Sequence, residues 1–151
     1  MAAAFWLIMA IEPAGWGWVF DKGCRMVELA GIVGCVAFGW LTLFQVMLAL
    51  GLPIGHLAWG GAEQILPARL RVASAVSALV SALALVAVAQ AGGLLSPVLP
   101  GGWLGPILWA LSGLFGLSVL ANLFGARGAE RLHGVPLALL CAGSCLVLAV
   151  A

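Results

Sequence analysis

The chain is short of charge: Lys and Arg together number 6 and Asp and Glu 5, or 7% of 151 residues. A soluble domain carries roughly 25% charged residues, so this chain cannot cover a water-facing surface. With 65% hydrophobic residues, its excess apolar surface must meet lipid. The formal net charge is only +1 and no basic patch is present, so neither nucleic acid nor another polyanion is expected as a partner. No alternating ten-residue strand pattern occurs, which argues against a transmembrane barrel; helices satisfy the backbone amides that lipid cannot. There is no nucleotide-binding loop, no catalytic-triad spacing and no extramembrane domain to hold a soluble substrate. The fold class that remains is all-α and integral to the membrane.

The few charges are clustered. Asp21, Lys22, Arg25 and Glu28 form one group, Glu63, Arg69 and Arg71 a second, and Arg127, Glu130 and Arg131 a third. Between them, apolar runs cover about 27–50, 68–90, 104–124 and 135–151. Crossing roughly 30 Å of hydrocarbon takes about 20 helical residues; the first three runs reach that length and the fourth is at its lower limit. A four-helix transmembrane domain over 27–151 is therefore expected. Pro67, Pro106 and Pro136 each fall near the start of a run, where a missing backbone N–H costs little.

Residues 1–20, "MAAAFWLIMAIEPAGWGWVF", open without positive charge and do not read as a secretory signal. The stretch before Glu12-Pro13 makes a helix only about half a bilayer long. An interfacial or re-entrant segment over 1–26 is expected, with a fifth crossing as the alternative. Arg69, Arg71, Arg127 and Arg131 precede the second and fourth helices, against Lys22 and Arg25 on the opposite face. By the positive-inside rule the arginine-bearing face is cytoplasmic and the C-terminus is outside. These four arginines are expected at lipid headgroups, and Trp6, Trp16, Trp18 and Trp103 near the outer interface.

The stretch "GLPIGHLAWGGAEQILPARLRV", residues 51–72, then becomes the first cytoplasmic loop and the start of the second helix. Gly51, Gly55, Gly60 and Gly61 allow sharp turns there. Within residues 40–80, Gly51, Pro53 and Gly55, then Ala58, Trp59, Gly60 and Gly61, then Leu66, Pro67, Leu70 and Arg71 form a pattern. It resembles one found in small bacterial four-helix integral membrane proteins of uncharacterised function, with a looser echo in "ERLHGVPLALL". The resemblance implies a four-helix fold in the bacterial cytoplasmic membrane and supplies no activity.

A further absence bears on function. No Asp, Glu, Lys, Arg or His falls in the middle third of any expected helix, where ion- and proton-coupled proteins place ionisable groups despite the cost. Glu28 sits at a helix end beside Arg25 and reads as a structural or headgroup-level residue. Gln45, His56, Asn122 and His133 form a candidate polar pocket on the inner face, near Glu63, Gln64 and Glu130. It could hold a headgroup, a metal or a haem; the two histidines lack the i,i+4 pairing of a metal helix, so no metal or cofactor is assigned. Gln45 and Asn122 are expected to make interhelical hydrogen bonds. Cys24, Cys35, Cys141 and Cys145 include no Cys-x-x-Cys pair, and "CAGSC" spaces its sulfurs beyond a standard disulfide. Small packed thiols are the stronger reading.

Small residues recur every fourth position at Ala30/Gly34, Ala73/Ser77/Ser81, Ser74/Ala78/Ala82, Ser112/Gly116 and Ala138/Ala142. Such stripes let helix backbones approach where lipid removes any hydrophobic preference for association. The expected function is thus helix packing and binding without catalysis, as an accessory or structural subunit of a membrane complex or as a homo-oligomer. Gly34, Ser77, Ser81, Ser112 and Gly116 are the expected packing residues, and the partners are the bilayer and other membrane subunits or the chain itself. The alternative is a carrier or binder of a small neutral solute or lipid at the inner-face cluster. A membrane thiol-redox or haem protein is the third reading.

Overall fold

The computed structural model describes residues 17–151, with side chains from Gly23 onward. The interfacial or re-entrant segment expected over 1–26 falls largely outside the described residues, as do Trp6 and Trp16. The order is α1 (Gly17–Leu50), a single 3-10 turn (Gly55–Leu57), α2 (Ala68–Ala91), α3 (Gly101–Phe124) and α4 (Gly128–Val150). All four helices are long and apolar enough to cross a membrane, and no strand occurs among the described residues. The described residues form an all-α, four-helix fold of an integral membrane protein.

Two helix boundaries differ from the sequence reading. α1 is already helical at Gly17, the first described residue, rather than starting near residue 27, and α4 starts at Gly128 rather than 135. Charge ended the apolar runs, but charge does not end a helix: long polar side chains at a helix end reach water while the backbone stays hydrogen-bonded. Pro136 consequently sits inside α4, not at its start. Its side chain is exposed, so the ring points away from the bundle and costs no internal contact.

Glycine sets the turns at both ends of the α1–α2 hairpin. Gly51, at φ 86°, closes α1; the Gly51 N–H bonds Leu48 O at 3.0 Å and the Leu52 N–H bonds Met47 O at 3.1 Å. This nested pair satisfies carbonyls that the helix leaves open, and Pro53 then prevents continuation. Gly93, at φ 72°, does the same for α2, through Gly93 N–H to Gln90 O and Leu94 N–H to Ala89 O.

α1 and α2 lie antiparallel in close contact, α3 and α4 form a second close hairpin, and α1 against α4 joins the two; α2 and α3 scarcely touch. The α1–α2 register runs from Arg71, whose Nε donates to Ala49 O at 2.9 Å, to Thr42 and Ser81, whose hydroxyls meet at 3.1 Å. It ends at Gly31 and Gly92, where a Cβ on Gly31 would lie 2.7 Å from Gly92 Cα. Because α2 stops there, α1 continues outward for 14 further residues, about 21 Å at 1.5 Å each. The main core lies in the half of the bundle that ends at this crossing. Phe38, Val88, Leu108, Cys141 and Cys145 are enclosed there, with Phe38 edge-on to Phe115 at 5.0 Å between ring centroids.

Candidate functional site: a cavity at the arginine-bearing end

The other half of the bundle is organised differently. Residues 51–67 fold back over the helix ends, anchored by Leu66 against Phe44 and Leu48. The turn at Gly55 is tight: its N–H bonds Gln64 O at 2.8 Å, and a Cβ there would meet Glu63 O at 2.5 Å. Trp59, Gly60 and Gly61 follow with φ of 55°, 90° and 68°. Gly60 and Gly61 adopt such angles readily, but Trp59 does so at a steric cost. The Trp59 indole N–H, donating to the Ser74 hydroxyl at 3.0 Å, holds that geometry from α2. From α4, the Glu130 carboxylate accepts the Gly60 N–H on Oε1 at 2.9 Å.

Beneath this cap lies a cavity of about 360 Å³. Its walls come from all four helices: Leu41, Phe44 and Gln45 of α1, Val76, Ser77 and Val80 of α2, Leu114, Phe115, Ser118 and Asn122 of α3, and Glu130, His133, Gly134 and Leu137 of α4. Leu57, Ala58 and Trp59 of the cap close one end. Val76, Val80 and Leu114 are exposed and flank the gap where α2 and α3 fail to pack. The cavity is therefore covered by the 51–67 loop and bordered by this gap on its exposed side.

Polar groups inside it are unevenly satisfied. Glu130 is 6% exposed, and its Oε2, like the buried Gln45 Oε1, has no hydrogen-bond partner among the described residues. His133 Nε2 accepts the Trp40 indole N–H at 2.9 Å, which assigns a neutral ring with its proton on Nδ1. The ring also stands 4.6 Å from Phe44, centroid to centroid. Asn122 Nδ2 donates to Ser118 O of its own helix at 2.8 Å. Gly134 leaves room for this amide, since a Cβ there would be 2.6 Å from Asn122 Oδ1.

Three of the four expected pocket residues, Gln45, Asn122 and His133, thus line one cavity. His56 does not: it is exposed on the outer side of the 3-10 turn. The interhelical hydrogen bonds expected of Gln45 and Asn122 are not formed, because the cavity separates the walls on which the two amides stand. Among the described residues no three of His, Cys, Asp and Glu converge as metal ligands would. Arg69, Arg71, Arg127 and Arg131 are all exposed at the capped end.

The expected packing residues divide. Gly34 faces Val88 and Ser144, Ser81 meets Thr42, and the Ser112 hydroxyl reaches Ala142 O at 3.3 Å, so these three act inside the bundle. Ser77 lines the cavity, and a Cβ on Gly116 would meet nothing within 4 Å. Trp59, Ser74 and Ser118 were not singled out by sequence as site residues. Only the positive φ required of a non-glycine beside Gly60-Gly61 marks Trp59, and no sequence pattern displays that. Comparison of the chain with protein-family models, curated proteins and solved structures gives no match.

Proposed function

We propose that this protein binds a small amphiphilic molecule within the membrane, in the cavity under the 51–67 cap. One observation carries the reading: a 360 Å³ space with a mixed polar and apolar lining, beside the gap where α2 and α3 scarcely touch. The volume falls in the range of about 300–1,000 Å³ typical of small-molecule sites. It can take roughly a dozen water-sized groups at about 30 Å³ each. An amphiphile entering from the lipid would place its polar end near Gln45 and Glu130 and its chain against Leu41, Val80 and Leu114. With the arginine-bearing face cytoplasmic, entry is from the cytoplasmic leaflet. Such a protein holds or passes on its ligand and needs no catalysis of its own.

Filling the cavity tests this. Ser77→Phe places a ring in the space while leaving the Thr42–Ser81 contact and the Gly31–Gly92 crossing intact. Native mass spectrometry of protein released from nanodiscs is expected to show a bound small molecule or lipid on the wild type and its loss in Ser77→Phe, with circular dichroism unchanged. A wild type carrying nothing, and equal thermal stability of both proteins with and without added amphiphile, would refute the proposal.

A second reading, as an accessory subunit or homo-oligomer, is favoured by α3. Only 11% of its most apolar stretch is buried, and Gly113 and Gly116 face open space one turn apart. Disulfide trapping through Gly116→Cys distinguishes it: dimers in native membranes support self-association through α3, and monomers alone count against it.

A further inference from the structure

The unsatisfied groups in the cavity specify the charge of what it accepts. Building on the ligand-site reading, we propose that the cavity selects a protonated amine on an apolar chain, with the ammonium donating to Glu130 Oε2 and Gln45 Oε1.

Both vacant positions are acceptors, and both are buried. A molecule offering only acceptors, such as a carboxylate, would leave them unpaired and add repulsion against Glu130; buried polar groups are costly when left unpaired. Charge narrows the choice further. Glu130 makes no ion pair with any described residue, and Arg127 and Arg131, its neighbours in sequence, are exposed at the surface. His133 is not the counter-ion either, since its Nε2 lone pair is taken by Trp40. What keeps the carboxylate in place is its position in the first turn of α4 and the Gly60 N–H on Oε1. A helix N-terminus favours a negative side chain, but neither feature supplies a positive charge. The cavity thus holds a carboxyl group with no cation beside it.

The surroundings suit an ammonium with N–H bonds. Trp59, Phe44 and Phe115 are among the lining residues, and aromatic faces attract cations. A charge-assisted hydrogen bond is roughly twice as strong as a neutral one. A primary ammonium has three N–H donors and can serve more than one acceptor. A quaternary ammonium carries the charge but has no proton to give. An alcohol has one proton and no charge.

The test compares octylamine, octyltrimethylammonium, octanol and octanoate as probes of the full-length protein in nanodiscs. Binding is read by intrinsic tryptophan fluorescence, with Trp59→Phe identifying the signal from the cavity. Octylamine is expected to bind at least tenfold more tightly than octanol. Octyltrimethylammonium should fall between them and octanoate should bind weakest. Glu130→Gln should erase the advantage of octylamine over octanol, so that the ratio of their affinities falls to about one. If Glu130→Gln does not fold, Gln45→Leu decides: it should cut the octylamine-to-octanol ratio severalfold. Octanol or octanoate binding as tightly as octylamine would overturn the amine assignment and leave the cavity as a ligand site. Failure of all four probes to move the signal would overturn both.

Discussion

The close approach of α1 and α2 backbones at Gly31 and Gly92 lends itself to a quantitative test. Gly31 of α1 and Gly92 at the end of α2 touch so closely that a Cβ on Gly31 would lie 2.7 Å from Gly92 Cα, and one on Gly92 2.6 Å from Gly31 Cα. Carbon atoms prefer about 3.5–4.0 Å, so Gly31→Ala must push the helices apart by about 1 Å. The obstacle is backbone and cannot rotate away. Overpacking of this kind costs about 1–3 kcal/mol, of which roughly 0.5–1 kcal/mol is offset by replacing a helical glycine. Gly39→Ala is the control, because a Cβ there meets nothing within 4 Å; it keeps the propensity gain without the clash. The two variants should therefore differ by about 1–3 kcal/mol in reversible unfolding by sodium dodecyl sulfate in mixed micelles. The double variant Gly31→Ala/Gly92→Ala should cost less than the sum of the singles, since the first separation makes room for the second methyl. Equal stability of Gly31→Ala and Gly39→Ala would refute the packing argument and the register built on it.

Other outcomes follow from single contacts. Gln90 accepts N–H bonds from Val98 and Leu99 at 2.8 Å and donates to Leu99 O at 2.9 Å; Gln90→Leu should release the 92–100 loop, cost about 1–3 kcal/mol, and raise amide exchange at Val98 and Leu99. Trp40→Phe removes the donor to His133 Nε2; a loss of about 0.6–2 kcal/mol is expected, and unchanged stability together with unchanged His133 ring resonances would count against that bond. Gly55→Ala drives a methyl into the Glu63 and Gln64 carbonyls; faster amide exchange across 54–66 and loss of octylamine binding are expected, with the helical signal retained. Cys24 is exposed, whereas Cys141 and Cys145 are fully enclosed. A membrane-impermeant maleimide should label Cys24 from the outer side of intact cells and spare the other two until the protein is unfolded; labelling of Cys24 only from the cytoplasmic side would reverse the orientation.

The membrane class and the number of helices were legible because length and apolarity are local properties, set by bilayer thickness and backbone chemistry. The ends of α1 and α4 were less so, since Asp21, Lys22, Glu130 and Arg131 look like loop residues until the helix that carries them is seen. Gln45, Asn122 and His133 could be grouped by depth alone, which is why they do share a cavity. Depth could not exclude His56, because whether a loop side chain turns inward depends on the fold of 51–67. That fold rests on the positive φ of Trp59 and on the Glu130–Gly60 contact. The latter joins residues 70 positions apart and has no signature in a single chain. For the same reason Gly31 was missed while Gly34 was found: the pattern of small residues identifies a face, but only the register decides which glycine meets backbone.

The two halves of the bundle bear on whether the cavity is more than loose packing. A chain able to bring Gly31 onto Gly92, and to enclose Cys141 and Cys145 completely, can pack small residues tightly. In the other half, bulk that would fill the space is withheld from α2 and α3, with Ser77 and Ser118 on the walls. Larger apolar residues at these positions would close the gap between α2 and α3 at no cost in solubility, because that surface faces lipid in either case. The loop, meanwhile, tolerates a positive φ at Trp59 and buries a carboxylate to keep its cap in place. Unfilled volume, backbone strain and a buried charge each lower stability, and all three converge on one end of the molecule. Packing does not account for that concentration. A bound molecule that fills the volume and neutralises the charge offsets two of the three, and the strained cap is what encloses it.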